Sequence, residues 1–163
     1  MDKKLLRAVK ENIYIVERDL NKYGGPFGAV ILDKDYNIVA TGYNTVTSTN
    51  DPTAHAEVNA IRNACKELGT FDLSGYTLIA TGYPCPMCLS AIMWANIVDV
   101  YYIADVEEAE RIGFRDEFIY KTIERIRNGE TTELMNLKDF NHAECKQRMR
   151  DIYTRYSEVG KIY

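Results

Sequence analysis

Two short motifs hold most of the chemistry open to this chain. His55-Ala56-Glu57 offers an imidazole and a carboxylate two residues apart, and Pro84-Cys85-Pro86-Met87-Cys88 offers two thiols at Cys-x-x-Cys spacing. Thiolate and imidazole suit Zn2+, and three such ligands leave a tetrahedral ion one position for water, the arrangement of a catalytic rather than a closed structural site. Zinc lowers the pKa of bound water to about 7, which makes it a nucleophile at neutral pH. Glu57 is the candidate proton carrier, a base and not a ligand. The other histidine, His142, and the cysteines Cys65 and Cys145 have no paired spacing and read as surface or core residues.

These residues need elements to hold them. Leu5, Leu6, Val9, Ile13, Val16 and Leu20 recur at helical steps, and Gly24-Gly25-Pro26 ends that helix. Ala29 to Leu32 and Ile38 to Ala40 flank the polar turn Asp33 to Asn37 as a hairpin with one strand buried on both faces. Asp51 is a good helix cap and Pro52 suits a first helical position, so a helix from Ala54 to Leu68 carries His55 and Glu57 in its first turn. Tyr76 to Ala80 and Val98 to Ala104 read as strands around a short helix from Pro86 to Ala95. Cys85 and Cys88 then sit where a strand passes into a helix, both sulfurs free to face one metal, near a helix N-terminus that favours thiolate. Alternation of strand and helix predicts an α/β sheet. Beyond Asp105 the chain reads as helical, with candidates at Glu107 to Ile112, Phe114 to Arg127 and His142 to Tyr156.

Length and charge narrow the partners. The 163 residues fit one domain with a real core. The formal charge of −4 is spread along the chain with no basic stripe, which disfavours a nucleic-acid polymer. No apolar run reaches membrane-spanning length, and Lys3-Lys4-Leu5-Leu6-Arg7 is unlike a secretory signal. With one Cys-x-x-Cys pair and no such signal, metal binding is preferred to disulfides and a cytoplasmic location is expected.

His-x-Glu followed by Pro-Cys-x-x-Cys is the signature of zinc nucleobase deaminases. Over its first two thirds the chain resembles the cytidine deaminase superfamily. Gly25-Pro26-Phe27-Gly28-Ala29-Val30, Asn50 to Glu57 and Gly113-Phe114-Arg115-Asp116 are similar to bacterial guanine deaminases. The resemblance implies a single-domain three-layer α/β/α sandwich on a central mixed five-stranded sheet, against four strands read from the residues. It implies hydrolysis of guanine to xanthine and ammonia, with Asn44 and the backbone around Ala56 holding polar groups of the base and Asp116 accepting from guanine N–H groups. Guanine does offer adjacent N–H donors to a carboxylate. It further implies a homodimer in which the C-terminal Tyr163 reaches an active site, in some members through an exchanged C-terminal segment.

Bland readings stand beside these. Asn44 could cap its own turn, Asp116 could be a solvated helix-start carboxylate, and Tyr163 a frayed end. Phe27 and Trp94 could wall a flat base or pack in the core. Gly82-Tyr83 stands where guanine deaminases carry Cys-Glu, and Ile126 to Arg150 matches them poorly, so cytosine, guanosine or another aminated heterocycle is an alternative substrate. A non-catalytic zinc-stabilised interaction module is the alternative from another class.

Overall fold

A computed structural model describes residues 2–135 and 137–160. They form two compact units, one running to Asp116 and one beginning at Glu117.

In the first unit, α1 (Lys3–Asp19) starts where the Asp2 side chain accepts hydrogen bonds from the Lys4 and Leu5 amides at 2.7 and 3.3 Å. Its apolar face places Leu5, Ala8, Val9, Ile15 and Val16 against Val30, Leu32 and Ile79 of the sheet. β1 (Gly28–Leu32) is buried at every position, as its unbroken apolar run requires. It pairs antiparallel with β2 (Ile38–Tyr43) through a turn organised by Asp33, whose Oδ1 accepts from the Asp35 and Asn37 amides at 2.9 Å each. β3 (Thr77–Gly82) lies antiparallel on the other side of β1, and β4 (Asp99–Ala104) runs parallel to β3, in the order β2-β1-β3-β4.

The opposite face carries the helices that matter for chemistry. A short α2 (Val46–Thr49) leads to α3 (Ala56–Leu68), while α4 (Pro86–Trp94) follows β3 and α5 (Val106–Arg111) follows β4. Ala56, Ala60 and Ala64 form a stripe of small residues at four-residue steps, facing Ala29, Ile31, Ala40, Leu78 and Ala80. The approach is so close that a Cβ on Gly42 would lie 2.1 Å from the Ala56 carbonyl oxygen and 2.4 Å from the Ala60 nitrogen. With α1 on one face and α3 and α4 on the other, the three-layer α/β/α arrangement and the mixed sheet are as expected.

The sheet differs in size: four strands are present among the described residues, not the five the resemblance implies. Beyond α5 the apolar residues Phe118, Ile119, Ile123 and Ile126 recur at helical spacing, and they form α6 (Glu117–Arg127), after which none of the described residues among 128–142 lies in a strand. The second unit consists of α6 and α7 (Ala143–Val159). His142 caps α7, its Nδ1 accepting from the Cys145 amide at 3.4 Å, and Arg125 pairs with Glu130 at 2.9 Å. No described helix is long and apolar enough to cross a membrane.

Candidate active site

The motif residues meet at two helix starts. α3 begins at Ala56, one residue later than a first-turn position for His55 demands, so His55 is its N-cap residue in extended conformation. Asp51 therefore does not cap this helix and Pro52 does not begin it. The Asp51 side chain is occupied by the turn ahead of it, accepting from the Thr53 amide at 2.8 Å and the Thr53 hydroxyl at 2.6 Å. Cys85 is likewise the N-cap residue of α4, and Cys88 lies in the first turn of that helix, fully buried. Glu57 remains in the first turn of α3, as expected, and is almost completely buried.

Three ligand atoms converge there. His55 Nδ1 lies 3.5 Å from Cys85 Sγ and 3.6 Å from Cys88 Sγ. All three atoms fall within 4.8 Å of one another. Zinc bonds of about 2.0–2.1 Å to nitrogen and 2.3 Å to sulfur at a tetrahedral angle separate N from S by about 3.6 Å, so the residues fit the ion. With Nδ1 turned to the metal position, the ring proton sits on Nε2.

Electrostatics supply the anions a dication needs. Hydrogen bonding from Cys88, and secondarily from His55, lowers the Cys85 thiol to about 4 against the opposing effect of burial. Cys88 is pushed up, because it bonds to the Cys85 thiolate and is itself buried beside Glu57. His55 is raised, chiefly by its bond to Cys85. Zinc binding requires both sulfurs as thiolates and the imidazole neutral at Nδ1, so it releases whatever protons these groups hold. Desolvation raises the Glu57 carboxyl above the ordinary range, the condition for a group that must take up and give back a proton near neutrality.

Other expected residues surround this centre. Asn44 is buried, and its Oδ1 does what the bland reading proposed, accepting from the Gly25 and Val46 amides at 3.2 Å each. Its amide nitrogen donates to no protein group among the described residues. Ala56 is fully buried at the first position of α3. Asp116 is partly buried, and its carboxyl is raised by desolvation and then by the nearby Cys85 charge. Phe27 packs edge-on against Phe114, ring centroids 4.9 Å apart. Trp94, the last residue of α4, is 67% exposed and so is not a core residue. Tyr83 is half-exposed and packs against Tyr102. Tyr163 lies outside the described residues.

Two residues were missed by the motif reading. Phe114 abuts Gly25, where a Cβ would come within 2.9 Å of its ring, and so ties the segment bearing Asp116 to the loop beside Asn44. Asn59, on α3, donates from Nδ2 to the Tyr43 carbonyl at 2.8 Å, Thr45 Oγ1 at 3.0 Å and the Ala54 carbonyl at 3.3 Å. A signal existed for Asn59, since asparagine is a poor helix former usually kept inside a helix for a side-chain bond.

Comparison with known proteins agrees with this geometry. The model of the cytidine and deoxycytidylate deaminase zinc-binding region matches residues 2–104. Guanine deaminase of Bacillus subtilis is 56% identical over 102 residues, 63% of this chain and 65% of that protein, so the match spans just under two thirds of this relative. The X-ray structure of guanine deaminase from Bacillus subtilis superposes with a TM-score of 0.77 at 41% identity, covering 93% of this chain and 95% of that one. A tRNA-specific adenosine deaminase of Haemophilus influenzae is 34% identical over 142 residues, 84% of this chain and 76% of that protein. With a histidine and two cysteines set at zinc-ligand spacing on two helix starts, the chain belongs to the cytidine and deoxycytidylate deaminase family.

Proposed function

We propose that the chain hydrolyses guanine to xanthine and ammonia. The observation that carries the choice of base is the likeness to the Bacillus subtilis guanine deaminase structure over 93% of this chain, and it is supported by Asp116, a partly buried carboxylate that feels the Cys85 charge. A carboxylate there accepts from the ring N–H and exocyclic amine of guanine, whereas cytosine and adenine lack that adjacent donor pair.

Zinc, when bound by His55, Cys85 and Cys88, supplies the Lewis acidity that makes water a nucleophile at neutral pH. Glu57 takes the proton from the attacking water, gives one to a ring nitrogen as C2 becomes tetrahedral, and delivers another to the amine as the C2–N bond breaks. The Asn44 amide nitrogen and the backbone at Ala56 hold polar groups on the base edge, and Phe27 with Phe114 forms an apolar wall that excludes water. Two metal-binding thiols suit a reducing compartment, which supports a cytoplasmic location.

A homodimer is part of this reading. Met93, Trp94, Val98, Tyr101, Tyr102 and Ile103 are all more than 40% exposed along α4, β4 and the link between them, and a parallel edge strand is normally covered. We further propose that Tyr163 completes a pocket in that dimer, by exchange of C-terminal segments.

The likeness to tRNA-specific adenosine deaminase supports a second reading, deamination within tRNA, which the charge of −4 disfavours. Zinc-loaded protein is to be incubated with guanine, guanosine, cytosine, adenine, aminated triazines and tRNA while ammonia is measured. Release from guanine alone is expected; turnover of another substrate with guanine inert would refute the assignment.

A further inference from the structure

We infer that Asn59 is a positioning residue that sets the distance between the base-recognition segment and the metal centre. Among the described residues the Asn59 side chain forms no hydrogen bond to the metal ligands or to Glu57. Its amide nitrogen instead meets three acceptors: the Tyr43 carbonyl, Thr45 Oγ1 and the Ala54 carbonyl. Tyr43 and Thr45 are the two chain neighbours of Asn44, and Ala54 immediately precedes His55. One amide group therefore holds the residues flanking the base-contacting side chain and the residue ahead of the first metal ligand.

Two further bonds make this a closed frame. The Thr45 amide donates to the same Ala54 carbonyl at 3.0 Å, and the Asn59 backbone amide donates to the His55 carbonyl at 2.9 Å, so Asn59 is tied to the N-cap residue through its main chain as well. The loop between β2 and α3 has only four helical residues of its own, in α2; Arg62 of α3 also reaches it, pairing with Asp51 at 3.6 Å and donating to Thr53 Oγ1 at 3.3 Å, but neither of those residues neighbours Asn44. An amide has two hydrogens for these three acceptors, and no other side chain of that length offers two neutral donors from one nitrogen. A carboxylate at this position would set its charge against three oxygens, and an aliphatic residue would take this donor from the Tyr43 carbonyl, while the Ala54 carbonyl would keep only the Thr45 amide.

Because Asn59 acts through Asn44, the inference rests on Asn44 contacting the base. Asn59→Leu and the isosteric Asn59→Asp should each retain one zinc per chain and raise KM for guanine about tenfold, the consequence of losing one such bond, with kcat changed much less. In an Asn44→Ala background the same substitutions should leave KM nearly unmoved, since the segment then has nothing left to position. Unchanged KM in both variants, an undiminished effect in the Asn44→Ala background, or failure of both variants to fold would each overturn the inference, the last by showing Asn59 to be a general support. If Asn44→Ala alone leaves KM unchanged, it is the reading of Asn44 that fails.

Discussion

His55 and Cys85 occupy the same position on two different helices. Each is an N-cap residue in nearly the same extended conformation, φ −69° and ψ 157° for His55, φ −66° and ψ 168° for Cys85, and their ligand atoms come within 3.5 Å. Two helix N-termini thus converge on one point, and their partial positive charges favour the thiolates and the carboxylate gathered there.

The first prediction concerns Glu57, which no ligand geometry requires. Glu57→Gln keeps the size of the side chain and removes its proton transfer, so kcat should fall roughly 100- to 10,000-fold. Zinc content should stay at one per chain. Full turnover in this variant would show that another group carries the proton.

Removing a ligand should have the opposite profile. Cys85→Ala leaves two donors, and the zinc content of the purified protein should drop well below one per chain. If the wild type holds zinc at about 1,000 times its Kd, the loss costs the fold roughly 4 kcal/mol. The wild type treated with a strong chelator should then melt near the variant's temperature; equal melting of both with and without chelator would mean that the metal does not support the fold.

Asp116 gives a pH dependence with a definite sign. Its carboxyl is raised by desolvation first and by Cys85 second. Only the ionised form accepts hydrogen bonds at both oxygens, so KM for guanine should rise as the solution is acidified, beginning above the pH at which an ordinary aspartate titrates. Asp116→Asn should show a high KM with that acid limb flattened. A limb of equal size in the asparagine variant would assign it to some other group.

Two glycines separate stability from recognition. At Gly42 an added Cβ meets backbone, the Ala56 oxygen and Ala60 nitrogen, which cannot move without shifting α3. Gly42→Ala should therefore cost about 3 kcal/mol or more, or prevent folding, as read from denaturant midpoints. At Gly25 the Cβ meets the outer end of the Phe114 ring, which can swing aside. Gly25→Ala should fold with little loss of stability yet raise KM for guanine several-fold, because the displaced ring belongs to the segment that carries Asp116.

From residue types and spacing alone came the metal, the histidine and two cysteines that meet around it, and the placing of Glu57 in the first turn of α3, together with four strands, the α/β class and most helices. That is because ligand chemistry and hydrophobic periodicity are local properties, visible within a few residues of chain. Helix entry was misplaced at Asp51-Pro52 because a good capping side chain can equally close a small turn, and only the bond to Thr53 decides between them. What the tertiary structure decided was long-range: that Asn44 spends its carbonyl oxygen on backbone while its amide nitrogen bonds no protein group among the described residues, that Phe114 leans on Gly25, and that Asn59 joins segments sixteen residues apart. No periodicity encodes such contacts, since each depends on where two distant stretches come to rest against the same helix.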